Sequence, residues 1–212
     1  ENILKCTIIP EYGGDVIRES GAWDREEERT RTASAKIMQQ LNNSPNVLGW
    51  SLDGDFEKGG GHLGEAIKKA DTNDEYINAN PIPLPTAYFD IYDLEVIDGR
   101  AWNDSIDNQY NYDLIINESA ARALGITDIK NERIQSKDRI MYSAYQDMSV
   151  NPSYNIVGVI KDCRVGHLSK KVVPTIYLYS EPILEYINPG TSLVIRYQEG
   201  KQREVIELLS KL

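Results

Sequence analysis

Along the chain, short β-branched apolar runs alternate with longer amphipathic stretches and with loops rich in Gly, Pro, Asn and Asp. Residues 3–9 (ILKCTII) form one such run, and Pro10 ends it, which predicts a strand. Residues 11–23 hold Gly13, Gly14 and Gly21 and read as a loop or an irregular hairpin. A helix is predicted next. Asp24 is its N-cap with Glu27 three residues on, and Glu26, Glu27 and Glu28 suit the positive end of a helix dipole. Ala33, Ile37 and Leu41 recur every four residues and make one apolar stripe. The run 42–45 (NNSP) stops the helix, and residues 47–52 (VLGWSL) read as the next strand. Strand, long helix and strand together predict a βαβ unit.

The middle of the chain has a different texture. Residues 53–64 are polar and Gly-rich, and residues 64–70 fit a short helix. Pro81, Pro83 and Pro85 punctuate an extended segment. Residues 88–94 (YFDIYDL) predict a short helix with aromatic anchors, followed by a turn that ends at Gly99-Arg100 and a polar loop over 103–111. Residues 113–116 (DLII) predict a strand. Asn117 then caps a helix carrying Ala120, Ala121 and Leu124, closed by Gly125. An extended piece with Met141 and Tyr142 is expected within 138–150. Strands are expected at 154–160, 174–179 and 192–197. A last helix follows Gly200, with Val205, Ile206, Leu209 and Leu212 on one face. No strand follows it to complete a second βαβ unit, and no repeat of solenoid period is present.

Composition narrows the function. A chain of 212 residues holds one large domain or two small ones, and 41% hydrophobic with 26% charged residues provides an ordinary core. The net charge of −10 argues against a nucleic-acid partner and against an electrostatic grip on an anionic membrane. No run approaches the roughly 20 apolar residues of a membrane-spanning helix. The start, Glu1-Asn2-Ile3, is neither an initiator Met nor a signal peptide and reads as a boundary. Cys6 and Cys163 fit one disulfide or, more readily, two buried thiols, and two Cys with two His make zinc implausible.

Candidate chemistry is sparse. Gly59, Gly61 and Gly64 spell GxGxxG, but Asp53, Asp55 and Glu57 just before it would repel a phosphate. Those three acids alternate like a calcium loop, yet Lys58 stands where Gly is needed and Gly64 where a bidentate Glu is needed. His62 and His167 lie in no metal or nucleophile motif. Asp162 beside Cys163 raises the idea of an activated thiol, against the simpler reading of a small core hydrophobe. The tyrosines and tryptophans read as strand and core residues before they read as a sugar-binding surface. No catalytic, cofactor or metal residue is therefore assigned.

Five segments in register carry a resemblance. They are residues 88–102 (YFDIYDLEVIDGRAW), 113–125 (DLIINESAARALG), 154–162 (YNIVGVIKD), 174–177 (PTIY) and 192–196 (SLVIR). In order and spacing they resemble the periplasmic core domain of MacB/FtsX-type ABC-transporter permeases, from about residue 85 to 212. Residues 1–80 match only in pattern. The resemblance implies an α+β fold with two parts. A βαβ-built, porter-like subdomain comes from both chain ends, residues 1–55 and 185–212, and a small α/β subdomain is inserted over 56–184. It implies a non-catalytic domain, held in the cell membrane by transmembrane helices and facing the periplasm or cell exterior. Cytoplasmic ATP hydrolysis would be coupled there to export, lipoprotein release or partner activation. The implied partners are a cognate ATPase subunit, a second permease protomer, and a periplasmic protein or exported substrate; no cofactor is implied. The family shares no active-site residues, and Asn117-Glu118 and Gly99-Arg100 read simply as a helix cap and as a turn with a solvated Arg. The family adds a strand after the last helix, which this chain lacks. The alternatives are a free periplasmic or surface binding module, for instance for carbohydrate, and an unrecognised hydrolase.

Overall fold

A computed structural model describes residues 2–7, 22–52, 64–103, 105–107, 113–137, 153–163, 171–180 and 192–211, with backbone alone for 22–30. The chain has an α+β fold and divides into two units, Glu1–Asp53 with Pro182–Leu212, and Gly54–Glu181.

The first unit is a three-stranded sheet with two helices. Strand β1 (Ile3–Thr7) leads to α1 (Ala22–Asn43) and then β2 (Val47–Leu52), and β10 (Ser192–Tyr197) leads to α4 (Gln202–Leu209). The order is β1-β10-β2, with β10 antiparallel to both neighbours. β1 and β2 therefore run the same way, and α1 is the crossover between them, but they do not pair: this is a split βαβ unit. Alternate residues of β10, Leu193, Ile195 and Tyr197, meet Ile37 and Leu41 of α1 and Val205 of α4 in one core.

Two stripe residues differ from expectation. On α1 the buried position is Ser34, while Ala33 is exposed. Ser34, Ile37 and Leu41 follow the i, i+3, i+7 geometry of a 3.6-residue turn better than a strict spacing of four. On α4, Leu208 joins Val205 and Leu209 against the core, and Ile206 points out. Helix α1 also begins at Ala22, ahead of the expected cap at Asp24.

The second unit is built on a barrel. Its strands are β3 (Glu65–Lys69), β4 (Ile77–Leu84), β5 (Val96–Gly99), β6 (Asp113–Asn117), β7 (Arg133–Ser136), β8 (Ser153–Ile160) and β9 (Thr175–Tyr179), with α2 (Ala87–Tyr92) and α3 (Glu118–Ala123) between them. The order β8-β6-β9-β4-β3-β7 returns to β8, so six strands close on themselves. The seventh, β5, pairs with the later half of β8 on the edge whose earlier half takes β7. Closure removes most free edges. Ile67, Ala79, Leu114, Ile116, Ile134, Tyr154, Ile156, Ile176 and Leu178 share one core with Ala120 and Leu124 of the α3 segment. The opposite face of β4, β6 and β9 carries Ile82, Leu84, Ile115 and Tyr177, all buried, as are Tyr88 and Ile91 of α2.

Two strands are hard to see in the sequence. Residues 64–70 are not helical: β3 occupies Glu65–Lys69 and pairs with β4 and β7. Its Glu, Ala and Lys residues favour a helix, but burial of Ile67 in the barrel core outweighs that weak local preference. β4 contains Pro81 and Pro83. The Asn80 amide donates to the Pro174 carbonyl at 2.8 Å, so even-numbered residues aim their N–H groups at β9. Pro81 and Pro83 face the other edge, where the β3 pairing has already ended at Ala79, and no ladder bond is lost. The extended piece expected within 138–150 lies outside the described residues.

Candidate functional site

Three of the resemblance segments, 113–125, 154–162 and 174–177, converge where β6 turns into α3. Asn117 is the last residue of β6 and the cap of α3, and its side chain is buried. Its Oδ1 accepts from the Ala120 amide at 2.9 Å, as an N-cap should. The same oxygen accepts from the Thr175 amide at 2.9 Å, and Nδ2 donates to the Val173 carbonyl at 2.9 Å. The primary amide thus acts as a peptide group, continuing the β6–β9 pairing one step after the backbone has turned away. Only a side chain with both a donor and an acceptor can do this.

The end of β8 reaches the same helix start. Asp162 accepts from the Ser119 amide at 2.9 Å, the Ser119 hydroxyl at 2.7 Å and Arg122 Nη2 at 2.6 Å. The Asp162 amide in turn donates to Glu118 Oε2 at 2.9 Å. Burial pulls the Asp162 carboxyl up, but these hydrogen bonds and the Arg122 charge outweigh it and hold the group below its ordinary value. Asp162 therefore serves α3 and does not activate its neighbour. Burial pushes the Cys163 thiol up; a hydrogen bond with Tyr177 opposes this, and the Asp162 charge adds to it. A thiol shifted upward holds less thiolate at neutral pH, the opposite of what activation needs. Tyr177 is itself pushed well above its usual range, first by burial and then by Cys163. Cys6 and Cys163 are both free.

The second cluster is the Gly99–Asp107 loop. Gly99 has a φ of +71°, and a Cβ on it would stand 2.3 Å from the Val157 carbonyl. A Cβ on Gly158 would stand 2.2 Å from the Arg100 carbonyl. The two glycines let the loop lie flat on β8, where the Arg100 amide donates to Val157 at 2.9 Å. Arg100 is not merely solvated. Its Nη2 donates to Asp107 Oδ1 at 2.8 Å and its Nη1 to Oδ2, a bidentate pair closing the loop, with the Asn103 amide adding a bond at 2.7 Å. The Asp107 side chain is 1% exposed and that of Arg100 40%. Trp102, a residue of the same loop, is buried edge-on to Tyr179 with centroids 5.7 Å apart.

Burial raises the Asp107 carboxyl, but bonds from Arg100 and the Asn103 amide prevail and depress it. A depressed carboxyl contributes stability that is complete above the unfolded value near pH 4 and is lost as pH falls through the folded value. Asp107→Asn is expected to cost about 2 kcal/mol at neutral pH and to flatten the loss of stability below about pH 4, read from urea midpoints across a pH series.

Other candidates yield less. Gly59, Gly61, His62, His167, Asp53, Asp55 and Glu57 lie outside the described residues. Gly64 precedes a strand rather than a helix, and a Cβ there would meet the Asn78 side chain at 2.1 Å. Among the described residues no group of three His, Cys, Asp or Glu is placed to hold a metal, and no helix is long and apolar enough to cross a membrane.

No protein-family model matches the chain, and no curated protein does. Solved structures do. A domain of a candidate permease protein from Porphyromonas gingivalis aligns with 84% of this chain and 74% of its own, at 15% identity and a TM-score of 0.50. The periplasmic region of MacB from Actinobacillus actinomycetemcomitans aligns over 89% and 75%, at 15% identity and a TM-score of 0.47. The extracellular domain of the noncanonic ABC-type transporter YknZ from Gram-positive bacteria aligns over 80% and 75%, at 14% identity and a TM-score of 0.45. At this identity the first likeness establishes a shared fold.

Proposed function

We propose that this chain is the extracytoplasmic domain of a MacB/FtsX-like ABC-transporter permease. It does no chemistry itself and couples ATP hydrolysis in the cytoplasm to work outside the membrane, on an exported substrate, a lipoprotein or a periplasmic partner. The observation that carries the reading is the agreement of two independent signals. The fold is that of a domain from a candidate permease, and four of the five sequence segments that resemble this family lie in the barrel unit, two of them meeting at the start of α3. Asn117 and Asp162 bind the two sides of one helix start, and Gly99, Arg100 and Gly158 seat one loop.

The role makes a biochemical demand. The intact parent protein, purified in detergent from its own cells, is expected to retain ATP-hydrolysing activity, either in its own chain or in a bound subunit. The excised domain alone is expected to show none. A parent protein that binds glycans saturably through Tyr and Trp side chains, with no associated ATPase, would support the carbohydrate-binding alternative instead.

A further inference from the structure

Trp102 is only 4% exposed, and its ring lies against Tyr179 of β9. Its Nε1–H meets no acceptor among the described residues. A buried donor of this kind gives up its bond to water and gains none in return, which favours any state that wets it. The segment that carries it, Arg100–Asn103, is bonded to itself and to Asp107 more than to the barrel. Arg100 Nη1 donates to the Ala101 carbonyl at 3.1 Å, and both of its Nη groups donate to Asp107. The Asn103 amide donates to the same carboxylate, and the Asn103 carbonyl accepts from the Asp107 amide at 2.8 Å. Toward β8, the described bond is the one from the Arg100 amide to the Val157 carbonyl. Just ahead of it stands Gly99, at a φ of +71° and with no Cβ to restrict its backbone.

We propose that Arg100–Asn103 is a hinged strap that turns at Gly99 and carries Trp102 out of its seat against Tyr179 while the barrel stays folded. The bonds to Asp107 hold the strap in shape and do not fix it to β8. Lifting is opposed by the Arg100–Val157 bond and by burial of the indole ring, and it is favoured by solvation of Nε1–H. The lifted state therefore lies well below global unfolding in free energy. There the ring and its donor face solvent together, the form in which Trp serves as an interface anchor, so the strap gates the exposure of Trp102. The movement belongs to the barrel unit alone and is independent of the proposed transport role.

Native-state hydrogen exchange of the full 212-residue chain, followed by NMR in urea below the unfolding transition, tests this. The Arg100 amide is expected to exchange at least about tenfold faster than the amides of β6 and β9, and with little dependence on urea, because lifting exposes little surface. A second chain carries Trp102→benzothienylalanine, a ring of the same shape with sulfur in place of the N–H. With no donor left to solvate, lifting becomes rarer, and exchange at the Arg100 amide is expected to slow by about fivefold or more. An Arg100 amide that exchanges at the rate and with the urea dependence of β6 and β9 would overturn the strap, since it would open only with the barrel. Unchanged or faster exchange at Arg100 in the benzothienylalanine chain would overturn it too, since that amide would then open without releasing an unpartnered indole.

Discussion

Asn117→Ala is expected to destabilise the barrel unit by about 3 kcal/mol, among the largest effects of any single polar side chain in it. The substitution removes three hydrogen bonds at once. It leaves one acceptor of the exposed Val173 without that partner, and likewise the Ala120 and Thr175 amides, which are too buried for water to substitute freely. A helix cap on the surface costs about 1 kcal/mol when truncated, and the excess measures the second role, the link to β9. Asn117→Asp separates the two. The carboxylate still accepts from both amides but cannot donate to Val173, and it brings charge against a carbonyl. Its expected loss is about 2 kcal/mol, intermediate between alanine and the parent. Urea unfolding followed by circular dichroism reads all three. An Asn117→Ala loss of only about 1 kcal/mol would reduce Asn117 to an ordinary cap.

The second large effect belongs to a glycine. Gly158→Ala places a Cβ 2.2 Å from the Arg100 carbonyl, and that carbonyl is backbone, so it cannot rotate away. Either the loop lifts off β8, loosening the Arg100–Asp107 pair and uncovering Trp102, or β8 itself shifts. The expected cost is about 3 kcal/mol, at the upper end of overpacking penalties. Gly125→Ala is the control. Gly125 has a φ of +65° but nothing within 4 Å of where a Cβ would stand. Its cost is the left-handed backbone alone, about 1 kcal/mol. Trp fluorescence should redshift for Gly158→Ala and not for Gly125→Ala, because only the first displaces the loop that carries Trp102. Equal losses for the two would mean that backbone conformation, not the close approach of loop and strand, makes these glycines necessary.

The fold was readable from the sequence where local and tertiary preferences agree. The apolar runs of β2, β6, β8, β9 and β10 stand out because their β-branched residues are bounded by turn formers, and Asn117 and Gly125 bracket α3 as cap and stop. The misreadings occur where the two preferences part. β3 (EAIKK) is built from helix formers and is held extended only by its neighbours. β7 (RIQS) has one apolar residue, Ile134, and no periodicity to find. β4, read as an extended segment punctuated by prolines, is a strand that keeps Pro81 and Pro83 because the described β3 pairing on that edge ends at Ala79. Ser34 was passed over because a polar residue does not register as part of an apolar stripe.

The joints were legible only in part. That Asn117 caps a helix follows from its neighbours in the chain; that it also binds Val173 and Thr175 does not, since β9 is brought there by the barrel. Arg100 gave no sign of its partner, because an Asp seven residues away in a polar loop looks like any solvated acid. Asp162 sits beside Cys163 in sequence, and that adjacency suggested a chemistry which the geometry assigns instead to the start of α3. For Asn117 and Asp162 the deciding contact crosses between elements, where spacing along the chain carries no information.

The proposed function places this domain outside the membrane and attached to it, and that placement can be tested directly. Cells producing the tagged parent protein from its own gene can be converted to spheroplasts and treated with protease, with and without detergent. The account predicts that the protein pellets with membranes, and that protease added outside intact spheroplasts removes the epitopes of this domain while a cytoplasmic control survives. A parent protein found in the soluble cytoplasmic fraction, or a domain cleaved only after detergent opens the cells, would contradict it.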